Sequence, residues 1–579
     1  MKHLLIVILL FFMLPALHAQ RSVHQQQSEA WAELGALTDA QYDSINHFEA
    51  FPTEKRSAAP LQKRVFGYHP YWGGSAWQNY RWELLSDLCY FSYEVDPATG
   101  NALTTRNWET APVIDTALAH GVRVHLCVTL FSGHATFFGN PQARQTLTGN
   151  LISMILSRGA HGINLDFEAV PSSQQQGLTN YITELSQALH AAIPEAELSI
   201  AAPAVNWNNT FDLPAITPWL DLVMIMAYDY YWDGSSIAGP VSGLWPLTSS
   251  FNYGVNRSLT YYQSAGVPVE KLLLGLPYYG REWPVTANTL PANTTGSGTA
   301  IVYRNIRANS SGNYNPANLY WDYRSFNPYY SYFTGQWRQC FFDDVRSLGA
   351  KYDLVNRRGA GGIGIWALGY DNGYPELWDL IEEKFTQPAF SLCSDTVYDS
   401  GGPWWSYGAS EAYTETIQSA WPGPLTLTFE NLSLESDFDS LWIYDGNSTA
   451  APLLAALSGG EVPPALHTNG NSFTLRLQTD GLNQRAGYAL VWHCPTAGTG
   501  SVTESGDISL YPNPAVEEIS LSAPKLYEVS LLSAEGRLLQ RIKMRGLTDR
   551  MDVSRLKPGI YLLQFSDGKT SISRRFVKL

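Results

Sequence analysis

The stretch HGINLDFEAV, His161–Val170, reads as a buried strand whose polar residues all fall on one face. Side chains alternate along a strand, so Ile163, Leu165, Phe167 and Ala169 share one face, and Gly162, Asn164, Asp166 and Glu168 share the other. In a parallel barrel the outer face of each strand meets helices and the inner face meets the packed interior. The apolar set suits the outside, which leaves the amide and the two carboxylates pointing inward. Burying unpaired carboxylates costs several kcal/mol per ion or forces one to hold a proton. Glu168 lies nearest the strand's C-terminal end, where barrel active sites form, with Asp166 one layer deeper. Desolvation and a neighbouring negative charge both raise a carboxyl pKa, so Glu168 is the candidate general acid. The competing reading is a half-exposed strand whose polar face meets water.

Seven companion runs decide between the two. From Val65 onward the chain carries VFGYHPYW, DLCYFSYEV, VRVHLCVTLF, GINLDFEAV, LSIAAPAV, DLVMIMAYDYYW, KLLLGLPYYG and GIGIWALG. Helical patterning separates several of them: Leu151, Ile152, Ile155 and Leu156 fit one helical face. Val345, Leu348, Tyr352 and Val355 follow an expected N-cap at Asp343 and precede a helix-stopping Gly359. Strands alternating with helices predict an α/β fold, a (β/α)8 TIM barrel, with the doubly wound open sheet as the alternative. The long gap between the seventh and eighth runs predicts a small inserted subdomain. Its Tyr320, Trp321, Tyr323, Phe326, Tyr329 and Tyr330 either wall a sugar cleft or fill the insert's own core.

Composition narrows the function. The 579 residues include 45% hydrophobic and 13% aromatic ones, with 19 Trp and 33 Tyr, enough for large cores and for surfaces that stack on sugar rings. A net charge of −15 argues against general nucleic-acid affinity, and no phosphate-binding glycine loop or paired Cys/His zinc spacing occurs. MKHLLIVILLFFMLPALHAQ has the basic start, short apolar run and small Ala19 of a secretory leader, and no later segment predicts a transmembrane helix. Of five cysteines, Cys393 and Cys494 bracket one module and are expected to pair; Cys89 and Cys127 are expected as buried thiols, and Cys340 has no obvious partner.

Beyond residue 390 short β runs such as LTLTFENLSL, DSLWIYDG and YALVWHC predict an antiparallel β-sandwich. PTAGTGSVTESGD reads as a linker, and a last small β module follows, basic in its second half. The expected division is a leader at 1–19, an N-terminal extension at 20–59, the barrel at 60–386, the sandwich at 390–496, a linker at 497–507 and the terminal module at 508–579.

These residues also carry family resemblances. HGINLDFE resembles the D-G-x-D-x-D-x-E signature of glycoside hydrolase family 18, the chitinase family. MAYD, Met226–Asp229, resembles its M-x-Y-D strand end; LGLPYYGREW resembles its L-G-x-P-x-Y-G-R segment; GGIGIWALG resembles its last strand. FGYHPYW and YFSYEVD match its first two strands more loosely. The resemblance implies a retaining mechanism in which the substrate's own 2-acetamido group is the nucleophile. Glu168 would be acid and then base, Asp166 the acetamido partner, and Tyr228 a donor to the acetamido oxygen, with Asn164 beside Asp166. Trp366 would stack beneath the sugar, and Met226, Asp229, Tyr279, Arg281, Tyr68 and Tyr93 would bind it, with no metal or cofactor. Two departures stand out: His161 and Asn164 replace acids of the family signature, and VHLCVTLFSGH lacks the usual S-x-G-G ending.

Residues 393–494 resemble a CUB domain, some members of which bind calcium through acids resembling Glu435, Asp439 and Asp480. The last module, from LYPNPA to SRRFVKL, resembles the C-terminal sorting domain of the type IX secretion system of the Bacteroidetes. The expectation is a secreted or surface-attached hydrolase of N-acetylglucosamine polymers, chitin or chitooligosaccharides, whose partners are that polysaccharide and the secretion machinery. The alternatives are a hydrolase acting on peptidoglycan or N-glycans and a non-catalytic carbohydrate-binding adhesin.

Overall fold

A computed structural model describes residues 22–51, 59–387 and 393–494, and residues 508–578 with short interruptions. The expected leader and linker lie outside the described residues. Eight parallel strands follow one another around a closed sheet: β1 (Arg64–Pro70), β2 (Asp87–Val95), β3 (Arg123–Leu130), β4 (Gly162–Phe167), β5 (Glu197–Pro203), β6 (Leu222–Met226), β7 (Leu272–Pro277) and β8 (Gly362–Trp366). β1 pairs with both β2 and β8, which closes the barrel and excludes the open doubly wound sheet. Their Val-, Ile- and Leu-rich sequences suit strands covered on both faces.

The interior is tightly filled. A Cβ at Gly364 of β8 would stand 2.0 Å from the sulfur of Met224 on β6, so any side chain there would displace Met224 from that layer. On the outer face of β4, Phe167 lies parallel to Tyr181 of the helix Gln175–Ala192, with ring centroids 6.0 Å apart. The helix Pro141–Arg158 buries Ala143, Leu147, Leu151 and Ile155, a stripe of four-residue spacing. Leu156, expected on that stripe, is 57% exposed, because at one step beyond Ile155 it turns about 100° away from the barrel. The helix Val345–Arg358 is capped by Asp344, one residue later than expected, and ends at Gly359 with φ 73° as the pattern predicts. Asp343 faces inward and accepts hydrogen bonds from Ser347 (2.6 Å) and Asn327 (3.0 Å).

Between β7 and β8 a five-stranded antiparallel sheet forms the insert, beginning at Tyr279. Its aromatics pack on one another: Tyr329 stacks on Phe341 and on Tyr320, and Trp321 meets Phe326 edge-on. They fill and flank the insert's own core. Two helices precede the barrel, α1 (Val23–Ala32) and α2 (Asp39–Asn46).

Two four-stranded antiparallel sheets make the sandwich, closed by a disulfide between Cys393 and Cys494. It forms one compact unit with the barrel. Arg357 donates to Glu415 of the sandwich at 2.6 Å, and the Arg358 guanidinium lies 3.4 Å over the Tyr413 ring. Cys89, Cys127 and Cys340 are buried free thiols. Residues from Ile508 onward form a second unit, a three-stranded and a four-stranded antiparallel sheet around Ile519, Leu521, Leu531 and Phe565. Among the described residues no helix is long and apolar enough to cross a membrane.

The stripe makes a contrast that denaturant titration can read. Leu151→Ala should destabilise the first unit by about 2–5 kcal/mol, whereas Leu156→Ala should stay within about 0.5 kcal/mol of wild type. Equal losses at the two positions would contradict this packing.

Candidate active site

β4 carries the polar face from the barrel interior to its mouth. Asn164, deepest of the three, accepts a hydrogen bond from Tyr68 Oη of β1 at 3.0 Å and donates to Ser199 Oγ of β5 at 2.9 Å. An amide satisfies this neighbourhood at both ends, which explains how a neutral residue sits where the family signature has an acid. Asp166 is fully buried one layer higher, and its Oδ1 meets no hydrogen-bond donor. Glu168 follows at the strand end, where the backbone turns through Ala169 at φ 53°. Burial pushes both carboxyls up to about 8, and for Glu168 the Asp166 charge adds to the effect. Both acids are therefore held in the protonated form well above the pH at which an exposed carboxyl ionises.

β6 ends in Met226 and runs into Tyr228 and Asp229, whose φ of 54° turns the chain across the mouth. Asp229 Oδ1 accepts from Tyr279 Oη at 2.7 Å and from Arg281 at 3.1 Å, a buried charge pair with its own phenol donor. β8 delivers Trp366 as the floor, flanked by Phe91 and Tyr68 with centroids 5.0 and 5.6 Å away. Beside Glu168 a cavity of about 820 Å³ opens, lined by Met226, Tyr228, Asp229, Tyr231, Trp232 and Trp207 among others.

Glu168, Asp166, Asn164, Tyr228, Asp229, Met226, Tyr279, Arg281, Trp366 and Tyr68 thus converge at the C-terminal end of the barrel. Tyr93 does not join them. The pairing of β2 with β3 jumps between Tyr90 and Tyr93, one extra residue on β2. Such a bulge reverses the alternation of faces. Tyr93 consequently points out towards the helix Pro141–Arg158, donating to the Gly100 carbonyl at 2.9 Å and accepting from Asn150 at 3.3 Å. Phe91, one turn of alternation earlier, is the β2 residue at the floor. The insert's tyrosines stay outside the cavity. In the sandwich, Glu435, Asp439 and Asp480 each bring one carboxylate oxygen within 4.8 Å of the others.

The N-terminal extension contributes residues that no sequence pattern singled out. His24 of α1 is fully buried over Trp366, with ring centroids 3.6 Å apart and planes 28° apart. Its Nδ1 lies 2.8 Å from Asp166 Oδ2 and its Nε2 2.7 Å from Tyr228 Oη. Burial lowers its pKa to about 4, so the ring is neutral and bridges the two groups with one donor and one acceptor. Ser22 Oγ donates to Glu168 Oε1 at 2.8 Å, and the Val23 N–H donates to Asp229 Oδ2 at 3.1 Å. The polar letters SVHQQQ would ordinarily be assigned to a solvated helix face, so sequence offers no cue to this placement.

Fold and site together define a (β/α)8 barrel of glycosidase type, with a buried acid pair above an aromatic floor. The family described as glycosyl hydrolases family 18 matches residues 64–371, and the chain belongs to it. A CUB domain matches residues 402–492, and a secretion system C-terminal sorting domain matches residues 509–579. A probable endochitinase of Caenorhabditis elegans is 27% identical over 42% of this chain and 42% of its own length. A class V chitinase of Arabidopsis thaliana is 30% identical over 42% of this chain and 66% of its own. A cortical fragment-lytic enzyme of Bacillus anthracis is 24% identical over 52% and 69%. The chain thus spans well under two thirds of the nematode relative and about two thirds of the other two. A family 18 N-acetylglucosaminidase from Paenibacillus barengoltzii shares the fold, with a TM-score of 0.50 at 22% identity over 56% of this chain and 99% of that one.

The acid pair predicts a pH-dependent stability. Carboxyls that ordinarily titrate near 4 hold their protons to about 8 in the folded chain. Between those values the folded state binds more protons than the unfolded one, so stability falls as pH rises. Glu168→Gln removes one such group. Its thermal midpoint should match wild type near pH 4 and exceed it increasingly up to about pH 8, measured by scanning calorimetry. A gap that does not change with pH would contradict a buried neutral acid here.

Proposed function

We propose that this chain hydrolyses β-1,4 bonds next to N-acetylglucosamine, in chitin or chitooligosaccharides, with retention and with the substrate as nucleophile. The observation that carries the reading is the spacing of Asp166 and Tyr228 above Trp366. One imidazole reaches both polar groups at once, at 2.8 and 2.7 Å, while lying flat on the indole. A 2-acetamido group on a stacked sugar presents the same pair, an N–H for Asp166 and a carbonyl oxygen for the Tyr228 hydroxyl.

In this reading Glu168 protonates the glycosidic oxygen as the acetamido oxygen attacks the anomeric carbon. The leaving sugar departs as an alcohol, and a cyclic oxazolinium remains. Asp166 and Tyr228 hold the acetamido group in its reactive orientation, and such positioning lowers the barrier by several kcal/mol. Glu168 then takes a proton from water, which opens the ring with the original configuration. Asp229, Tyr279 and Arg281 hold the sugar hydroxyls, and the cavity past Glu168, with Trp207, Tyr231 and Trp232, accommodates the leaving-group side.

The endochitinase and class V chitinase relatives support chitin-type substrates. The cortical fragment-lytic relatives favour a second reading, the N-acetylglucosamine bonds of peptidoglycan. The sorting-domain match supports export through a dedicated secretion system, and the CUB match supports a surface- or carbohydrate-binding role for the sandwich.

Wild type and Glu168→Gln should be compared on N-acetylated chitotetraose, peptidoglycan and a high-mannose glycopeptide, in the full chain and after cleavage within residues 52–58 of the folded protein. Loss of the acid should lower kcat by about 10²–10⁴-fold on the true substrate. Binding without hydrolysis by wild type in both forms would make the chain an adhesin. A thiazoline analogue of the oxazolinium should inhibit competitively; an active enzyme insensitive to it would not be substrate-assisted.

A further inference from the structure

The groups that the proposed reaction needs are already engaged, and by the chain itself. Ser22 holds Glu168, His24 joins Asp166 to Tyr228 and covers Trp366, and the Val23 N–H reaches Asp229. Gln27 Oε1 accepts from Trp366 Nε1 at 3.0 Å and from Tyr370 Oη at 2.8 Å. Further along α1 the Trp31 ring lies parallel to Trp72, at 8° and 6.3 Å between centroids. A scaffold helix buries an apolar stripe. This one buries Val23, His24 and Ser28, and its polar atoms match the site's donors and acceptors one by one. An aromatic ring flat on the floor tryptophan and a neutral two-ended polar bridge are also what a stacked acetamidosugar would supply.

The segment is anchored beyond the site. Asp43 of α2 accepts from the Ser75 N–H at 2.7 Å, Asn46 donates to the Trp72 carbonyl at 2.7 Å, and Arg304 donates to Asn46 at 2.8 Å. Residues 22–51 therefore run along the mouth as one docked piece, joined to β1 only through the connection that ends at Arg64. A sugar over Trp366 and His24 cannot occupy the same space.

We propose that residues 22–51 are an autoinhibitory segment that fills the acetamidosugar position by mimicry, and that its release from the mouth opens the site. The proposal rests on reading this cluster as the sugar site. While the connection is intact, the tethered segment acts at a high effective concentration and competes with any substrate. Once the connection is cut, the segment becomes a diffusible ligand that dilution removes.

The test replaces residues 52–58 of the full chain with a site-specific protease sequence, so that the protein folds intact and is cut afterwards. Cleavage followed by size exclusion should raise kcat/KM on N-acetylated chitotetraose at least about tenfold, the factor expected when an intramolecular competitor leaves about a tenth of the molecules open. His24→Ala in the uncut chain should give part of that rise. A synthetic peptide of residues 20–51 should restore inhibition competitively, and the same peptide with His24→Ala should not. Equal kcat/KM before and after removal of the segment would overturn the proposal. Should neither form hydrolyse any substrate, the function reading fails instead, and labelled-peptide binding to the cut chain still decides occlusion. His24-dependent binding supports it, and absence of binding overturns it.

Discussion

Two buried carboxyl groups side by side at the barrel mouth are the constraint on which the rest of the site depends. Asp166 and Glu168 cannot both ionise there without a large desolvation cost, so the barrel keeps protons on them well above the ordinary carboxyl range. Everything beneath the pair is arranged to add no further charge. Asn164 is neutral and fully hydrogen-bonded between Tyr68 and Ser199, and the thiols Cys89 and Cys127 are buried. The basic residue of the site, Arg281, is matched by Asp229 and so leaves the acid pair unneutralised.

That same burial explains why a polar segment of the chain can dock so completely over the mouth. The mouth offers an aromatic face, an acceptor and a donor at fixed spacing, in Trp366, Asp166 and Tyr228. Any covalently attached group with a flat ring and two polar ends gains those interactions without a separate binding entropy cost. His24 is such a group, and Ser22 and Gln27 on either side extend the match. The N-terminal segment thus engages the same three groups that the proposed acetamidosugar would use.

The sandwich and the terminal module contribute differently. Arg357 and Arg358 on the helix before β8 tie the sandwich to the barrel through Glu415 and Tyr413, so the first unit buries a shared polar seam on the side of that helix. The terminal module carries its own small core, as expected of a piece that folds around Ile519, Leu531 and Phe565 alone.

Local rules were enough for much of this molecule. Period-two alternation in GINLDF located the acid strand and its inward face, repeated apolar runs gave the eight-stranded barrel, and Gly359 and the Cys393–Cys494 pair were legible from turn chemistry and position. Alternation cannot foresee where a strand gains a residue, so Tyr93 left the site when β2 bulged against β3. Helical periodicity blurs at the stripe's edge, which put Leu156 outside, and a cap can shift by one residue where two acids adjoin, as at Asp343 and Asp344. The placement of SVHQQQ was decided by tertiary structure alone. A helix's own sequence states only that its side chains are polar; whether they meet water or a buried acid such as Asp166, 142 residues further along the chain from His24, depends on the surface the barrel presents to them.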